Sequence, residues 1–307
     1  MAAASNPFAA TGTWLRCALH AHTTNSDGEL SPDELVAHYE RLGFDVLAIT
    51  DHWVRSDAPS TDRLLVIPSS ELSCAMPGEP DAHLLAYGID EDPLEFVRSR
   101  PDLAAAAAWV EEHDGVAYLA HPYWTGTSAN GLALTDGVAG LEIYNAGCEL
   151  EVGRGLSTVH WDELLERGAS CLGIAADDSH HADLDSGFAW TWAHVAEPSE
   201  TAVLEALATG SFYSSAGPLI HDLRVDDAGV DVHCSPCARA TLCTGRRRGS
   251  SVSVGAPGYC FAGEILEESE DGWIVRAHLD RPRRAPYGRL ELVDDHGRRA
   301  WTNPLWI

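Results

Sequence analysis

The sequence predicts an α/β chain, a series of strand–helix units followed by a small antiparallel β domain. Three observations carry that reading. Short apolar runs rich in Val, Ile, Leu and Ala alternate with helix-like segments that begin at a capping residue and end at Gly. Ionisable residues recur at the carboxyl ends of those runs. After about Leu219 the helical signals vanish, and short alternating runs separated by Gly, Pro, Asp and Arg take over.

The strand-like runs are Leu15 to Leu19, Asp45 to Ile49, Leu64 to Pro68, Leu84 to Tyr87, Val116 to Ala120, Gly140 to Tyr144 and Cys171 to Ala175. Their composition reads as parallel strands buried on both faces. The first helix is the clearest: Ser31 caps it, Pro32 takes its first turn, Glu34 completes a capping box and Gly43 stops it. Further helices are expected at Pro101 to His113, Trp161 to Arg167 and Glu200 to Thr209, each followed by a glycine, Gly115, Gly168 and Gly210. In the terminal region, Val230 to His233, Ala240 to Cys243, Trp273 to Leu279 and Arg289 to Val293 read as antiparallel strands. The ending AWTNPLWI carries two Trp and is expected to dock as a strand or against the larger domain.

Composition excludes several function classes. A chain of 307 residues with 45% apolar content can bury a sizeable core. Its formal charge of −27 repels polyanions, so no nucleic-acid polymer is expected as a partner. All 20 basic residues are Arg, which excludes Schiff-base and lysine-nucleophile chemistry. Neither a signal-like start nor an apolar run of membrane-spanning length is present, and eight Cys are too few for a disulfide scaffold. A soluble protein of the reducing cytoplasm, without a membrane partner, is the expectation.

The chemistry is carried by where the ionisable residues fall. His20, Asp51 with His52, Glu71, His121, and Asp178 with His180 each lie at or just beyond the carboxyl end of an apolar run. In a βα barrel those ends converge on one face, so residues remote in sequence meet there, as a multidentate metal site requires. A lone buried His is usually a hydrogen-bonded core residue, but this many at equivalent strand ends are not independent coincidences. His20 and His22, two apart on an extended segment, point to the same side. Asp27, in the turn that follows, could reach the same cavity.

These pieces occur in order as LHAHTTNSDG, AITDH at 48 to 52, SSE ending at Glu71, DAHLLAYG around His83, LAHP around His121 and DDSH ending at His180. In them the sequence resembles the polymerase and histidinol phosphatase (PHP) superfamily of metal-dependent phosphoesterases, over roughly residues 14 to 218. The resemblance implies a distorted (βα)7 barrel at 12–218, holding two or three divalent cations at its carboxyl-end face, with a small β-rich domain at 219–307. It implies that His20, His22, Glu71 and Asp178 hold one metal, and that Glu71 bridges to a second held also by His83 and His121. A third metal falls among Asp27, His52 and His180; some relatives have His where this sequence has Asp27. Mixed imidazole and carboxylate ligands suit zinc, manganese or iron. The segment TGSFYSSAGPLIHDLRV and the ending AWTNPLWI look like the carbaryl-hydrolase-like branch of the superfamily.

Two cations about 3.5–4 Å apart can share a bridging hydroxide, which would be the nucleophile. Asp51 is a candidate to orient a ligand or relay a proton, and Arg154 to hold a phosphate or carboxylate of substrate. Glu142, Asp177 and His181 are candidates to support the ligands. Trp53, Tyr123 and Trp124 near the expected mouth suit a flat or apolar substrate group, or packing. Cys234 and Cys237 read as buried strand thiols, and Arg246 to Arg248 as a solvated turn. No nucleophile elbow or phosphate-cradling glycine loop is present. The expected activity is hydrolysis of a small phosphate ester or nucleotide. Hydrolysis of a carboxylic or carbamic ester or an amide at the same centre is the first alternative, and a non-catalytic metal-binding module the second.

Overall fold

A computed structural model describes residues 6–131, 136–255, 259–285 and 287–305. The chain divides into two compact units, one from Thr13 to Ala208, the other formed by the residues up to Gly12 together with those from Thr209 on. The larger unit is a mixed α/β structure with a large, partly parallel sheet. Its strands are β1 (Thr13–Ala18), β2 (Val46–Ile49), β3 (Leu65–Cys74), β4 (Ala82–Tyr87), β5 (Val116–Leu119), β6 (Val138–Asn145), β7 (Leu172–Ala176) and β8 (Trp190–Val195). β1 to β7 lie side by side in sequence order, with β8 on the outer edge of β1.

Not all of these strands are parallel. β1–β2–β3 and β5–β6–β7 pair in parallel, but β4 is antiparallel to both its neighbours. The reason is the connection: only residues 75–81 separate β3 from β4, and a parallel return needs a crossover of about a dozen residues or more. The consequence is functional. His83 sits at the amino end of β4, yet the reversal brings it to the face where the other strands end, opposite Ser73 on β3.

The helices of this unit are α1 (Pro32–Arg41), α2 (Leu94–Arg98), α3 (Leu103–Glu112), α4 (Pro122–Thr125), α5 (Ala146–Val152), α6 (Thr158–Glu166), α7 (Ala182–Asp185) and α8 (Glu200–Thr209). The capping box of α1 is present as the sequence predicts, with Ser31 and Glu34 each accepting from the other's backbone N–H. Leu35 and Tyr39 of α1 pack on Ala18, Leu47 and Ile49, which removes apolar area from water at roughly 25 cal/mol per Å². The short helices α2, α4, α5 and α7 are not legible in the sequence, being too short to show a 3.6-residue period.

In the second unit β9 (Phe212–Ser215), β10 (Ile220–Val225), β11 (Gly229–Cys237), β12 (Arg239–Cys243), β13 (Gly249–Ser253), β14 (Tyr259–Phe261), β15 (Gly263–Glu268), β16 (Ile274–Asp280), β17 (Arg289–Val293) and β18 (Arg299–Thr302) form antiparallel sheets. One contains β14–β13–β12–β17–β18–β9, the other is β10–β11–β16–β15. The unit begins earlier than the expected residue 219, because β9 pairs with β18 and Asn6 donates to the carbonyl of Leu223. Trp301 of the terminal segment is buried in β18 and donates to Glu291, while Trp306 lies outside the described residues. Among the described residues no helix is long and apolar enough to cross a membrane.

The segment after β1 is held on three sides. Thr50 N donates to the Ala21 carbonyl at 2.9 Å, His22 N to Ser179 at 2.9 Å, and Asp178 N to His20 at 3.0 Å. Gly28 closes the following turn by donating to Thr23 at 2.9 Å, and a Cβ there would lie 2.2 Å from the His22 carbonyl oxygen. Gly28→Ala must therefore displace the His22 backbone. It is expected to cost about 1–3 kcal/mol, read as a lowered midpoint in urea; an unchanged midpoint would show that the turn relaxes without strain.

Candidate metal centre

Among the described residues, three groups of side chains bring their donor atoms within 4.8 Å of one another: His20, His22, Glu71 and Asp178; Glu71, His83 and His121; and His22, Asp27, His52 and His180. All nine of the ligands implied by the sequence resemblance come together here.

Glu71, on β3 and 1% exposed, stands at the centre. Its Oε2 lies 3.2 Å from His20 Nε2, 3.4 Å from His22 Nε2 and 3.2 Å from His52 Nδ1. Its Oε1 lies 2.8 Å from His83 Nδ1 and 3.1 Å from His121 Nε2. The two oxygens of one carboxylate thus face two different imidazole sets. Asp178 Oδ1 completes the first group, 3.1 Å from His20 Nε2 and 3.2 Å from His22 Nε2. The third group is more open, with Asp27 half exposed and 3.4–3.5 Å from His52 and His180.

Supporting residues fix these rings. Glu142, fully buried, accepts from His20 Nδ1 at 2.8 Å and from the His121 backbone N–H at 2.8 Å. The first contact leaves His20 Nε2 turned toward Glu71 and Asp178, which is the arrangement that selects a ligand nitrogen. Asn145, at the end of β6, donates to Glu142 at 2.9 Å and to Asp178 at 3.0 Å. Sequence reasoning missed Asn145, since a single Asn beyond a strand carries no signal.

The electrostatics are those of a cation site. Burial works against charge on His20, but Asp178, Glu142 and Glu71 outweigh it and hold its pKa well above the ordinary value. His22 is likewise raised to about 9 by Asp178 and Glu71 against its burial. Burial favours protonated carboxyls, yet the neighbouring imidazoles hold Glu71 and Asp178 well below the usual range. A bound cation could take the place of these protons. His22 Nε2 is buried 3.2–3.4 Å from two carboxylate oxygens without a well-aligned hydrogen bond to either, so the residues present fit divalent metal.

Other candidates fall elsewhere. Asp51 belongs to none of the three groups: its buried carboxylate accepts from Thr23 N at 2.7 Å, Thr23 Oγ1 at 2.6 Å and Ser26 Oγ at 2.5 Å, with Ser56 as a further donor. It ties down the turn that carries Asp27. Arg154 is exposed and stands over the Tyr123 ring, 5.7 Å from its centroid, outside the groups. Asp177 accepts from Gly187, Phe188, Ala189 and Tyr39 and closes the loop after α7, while burial pushes its pKa up to about 6. His181 is exposed and paired with Glu29. Trp124 stands 5.0 Å, ring to ring, from His121. Trp53 donates to Ser73.

A two-domain protein from Bacteroides vulgatus, described as containing a predicted PHP-like metal-dependent phosphoesterase, has the same fold, with a TM-score of 0.52 at 16% identity over 96% of this chain and 96% of that one. A proposed metal-dependent phosphoesterase from Bifidobacterium adolescentis is similar with a TM-score of 0.43 at 17% identity, over 53% of this chain and 87% of that one. An amidohydrolase from Chromobacterium violaceum, with bound sulfate and no metal, is similar with a TM-score of 0.41 at 16% identity, over 56% of this chain and 89% of that one. No family model matches the sequence, and no curated protein matches it.

Glu71→Ala is expected to empty both groups that share it, whereas Asp27→Ala spares them. Glu142→Gln should weaken metal binding about 10- to 100-fold. Metal analysis of the folded variants after equilibrium dialysis reads all three, and full metal retention by Glu71→Ala would refute the shared-carboxylate arrangement. Because metal-free His22 is protonated below pH about 9 and a ligand nitrogen must be free, metal binding at pH 7 should release protons. Affinity should then rise with pH toward that value; a pH-independent titration between 6 and 9 would contradict it.

Proposed function

We propose that the chain is a metal-dependent hydrolase that cleaves a small phosphate ester by attack of water. The observation that carries this reading is the pair of Glu71 oxygens facing separate imidazole sets. In this reading the seven strands β1–β7 form a distorted (βα)7 barrel of the PHP kind, with the β unit appended. His20, His22, Glu71 and Asp178 hold one cation, His83 and His121 with Glu71 a second, and Asp27, His52 and His180 a third. Zinc, manganese or iron would suit these ligands. The free cysteines suit a reducing compartment such as the cytoplasm.

When bound, such cations would polarise the ester and lower the pKa of water. Among the described residues the cavity offers no hydroxyl or amine nucleophile of its own. The cavity over the groups, of about 520 Å³, is lined by no Ser, Thr or Lys among the described residues, and its thiol, Cys148, is pushed far up by burial beside Asp178. Glu142 would keep the His20 ring turned with Nε2 toward the site, and Asp27 and His180 line the more open part of the cavity. A carboxylic or carbamic ester or amide is the second reading, favoured by one observation: among the described residues no Arg lines this cavity, and a phosphate dianion is ordinarily met by guanidinium.

Turnover of p-nitrophenyl phosphate and p-nitrophenyl acetate by metal-quantified protein tests the two, with His20→Ala and chelation as controls. Phosphate cleavage lost in both controls supports the first reading. Acetate cleavage alone, lost likewise, replaces it with the second, and bound metal without turnover of either ester leaves a metal-binding module.

A further inference from the structure

The mouth of the metal cavity has a character its floor does not predict. β6 runs directly into α5, which sets Leu150 and Glu151 over the opening, and α7 brings Leu184 to the same cavity. Leu150 is 58% exposed and Leu184 71%. Trp124, 38% exposed, forms the adjoining wall, and its indole Nε1 donates to Glu151 Oε2 at 3.0 Å. Large apolar side chains left in water at the rim of a site mark a place for an apolar ligand group.

Carboxylates outnumber basic groups at this rim. Beyond the residues of the three groups, the ionisable residues lining the cavity are Cys148, Glu151, Asp185 and His181, with no Arg among the described residues. Asp185 is occupied by Ser179 and the backbone of His180 and His181. Glu151 makes no ion pair among the described residues. Its hydrogen bond to Trp124 holds an exposed carboxylate beside the apolar wall, where it would repel an anionic substituent brought against that wall.

Resting on the hydrolase reading above, we infer that the substrate's leaving group is apolar and bears no negative charge, and that Trp124, Leu150 and Leu184 hold it while Glu151 rejects anions. Nucleotides and sugar phosphates carrying a second anionic group are thereby disfavoured, whichever ester bond is cut.

The metal-loaded full chain would be given phenyl, 4-carboxyphenyl and 3-(trimethylammonio)phenyl esters, each as phosphate and as acetate. In the series that is cleaved, kcat/KM for the carboxylate should fall about tenfold or more below that for phenyl, and the ammonium ester should not fall. Trp124→Ala and Leu150→Ser should raise KM for the phenyl ester about tenfold with kcat little changed. Glu151→Gln should narrow the gap between carboxylate and phenyl esters. Equal kcat/KM across the three substituents overturns the inference and leaves the hydrolase standing. If no ester is cleaved, calorimetric binding of phenylphosphonate against 4-carboxyphenylphosphonate decides separately: preference for the former upholds the apolar rim after the hydrolase reading has failed, and equal binding removes both. Should Leu150→Ser and Leu184→Ser instead convert a dimer to a monomer with KM unmoved, the rim is a subunit interface and the inference falls.

Discussion

A carboxylate removed from water must be met by positive charge or by hydrogen bonds, or it will not remain ionised. Glu71 is buried to 1% exposure, and five imidazoles converge on its two oxygens. The geometry of the larger unit follows from that requirement. β3 is long enough to carry Glu71 well past the last residue of β2, and its backbone there is locked by Glu71 N donating to Asp51 and Trp53 N donating to Glu71. The reversal of β4 delivers His83 to Oε1, while the continuations of β1 and β2 deliver His20, His22 and His52 to Oε2. Removing the positive partners, whether protons or metal, leaves several carboxylates in mutual repulsion, so folding and cation uptake are thermodynamically linked.

The backbone bears part of the cost. His121 has φ 23°, Trp53 φ 66° and Asp178 φ 57°, all in the left-handed region, which typically costs a non-glycine residue about 1–3 kcal/mol. Each of these residues belongs to one of the three groups or follows a residue that does. The conformations persist because the surroundings over-determine them: Glu142 takes the His121 N–H and the His20 carbonyl takes that of Asp178. Glu142 therefore acts twice, selecting the His20 tautomer and holding the turn at His121. Asn145 joins it to Asp178, so two strand ends are set by one polar network. In such a network each partner's position depends on the others, and loss of one member is felt at both ends.

How far this was legible in the sequence depends on whether a residue's role follows from local periodicity. His20 and His22 were legible, because alternation along an extended segment places them on one side. Glu71, His121 and Asp178 were legible as strand-end residues of apolar runs. The position of His83 was not derivable from that rule, since it begins its strand; only the resemblance carried it, and the antiparallel pairing of β4 gives the physical reason. Asp51 was read for chemistry because it adjoins His52. Adjacent residues on an extended segment point to opposite sides, and the structure turns Asp51 away from the groups to bind Thr23, Ser26 and Ser56. The rim residues Leu150, Glu151 and Leu184 lie on helices of one or two turns, where no period can be recognised.

Charge acts on two scales in this molecule. Over the whole chain, 47 acidic residues against 20 Arg make a field that draws divalent cations toward the surface and keeps polyanions away. That long-range term is screened within about 8 Å at physiological ionic strength, so it governs encounter and cannot by itself discriminate between small esters once they reach the mouth. Discrimination has to come from groups close to the substrate. At the floor those groups are imidazoles and carboxylates arranged for cations, which would attract an anionic scissile group once metal is bound. At the rim they are Trp124, two leucines and Glu151, which favour an apolar group without negative charge. On the proposed reading, the opposite preferences of floor and rim would give a bound ester a direction: its scissile end toward the histidines, its leaving group toward the indole and the solvent.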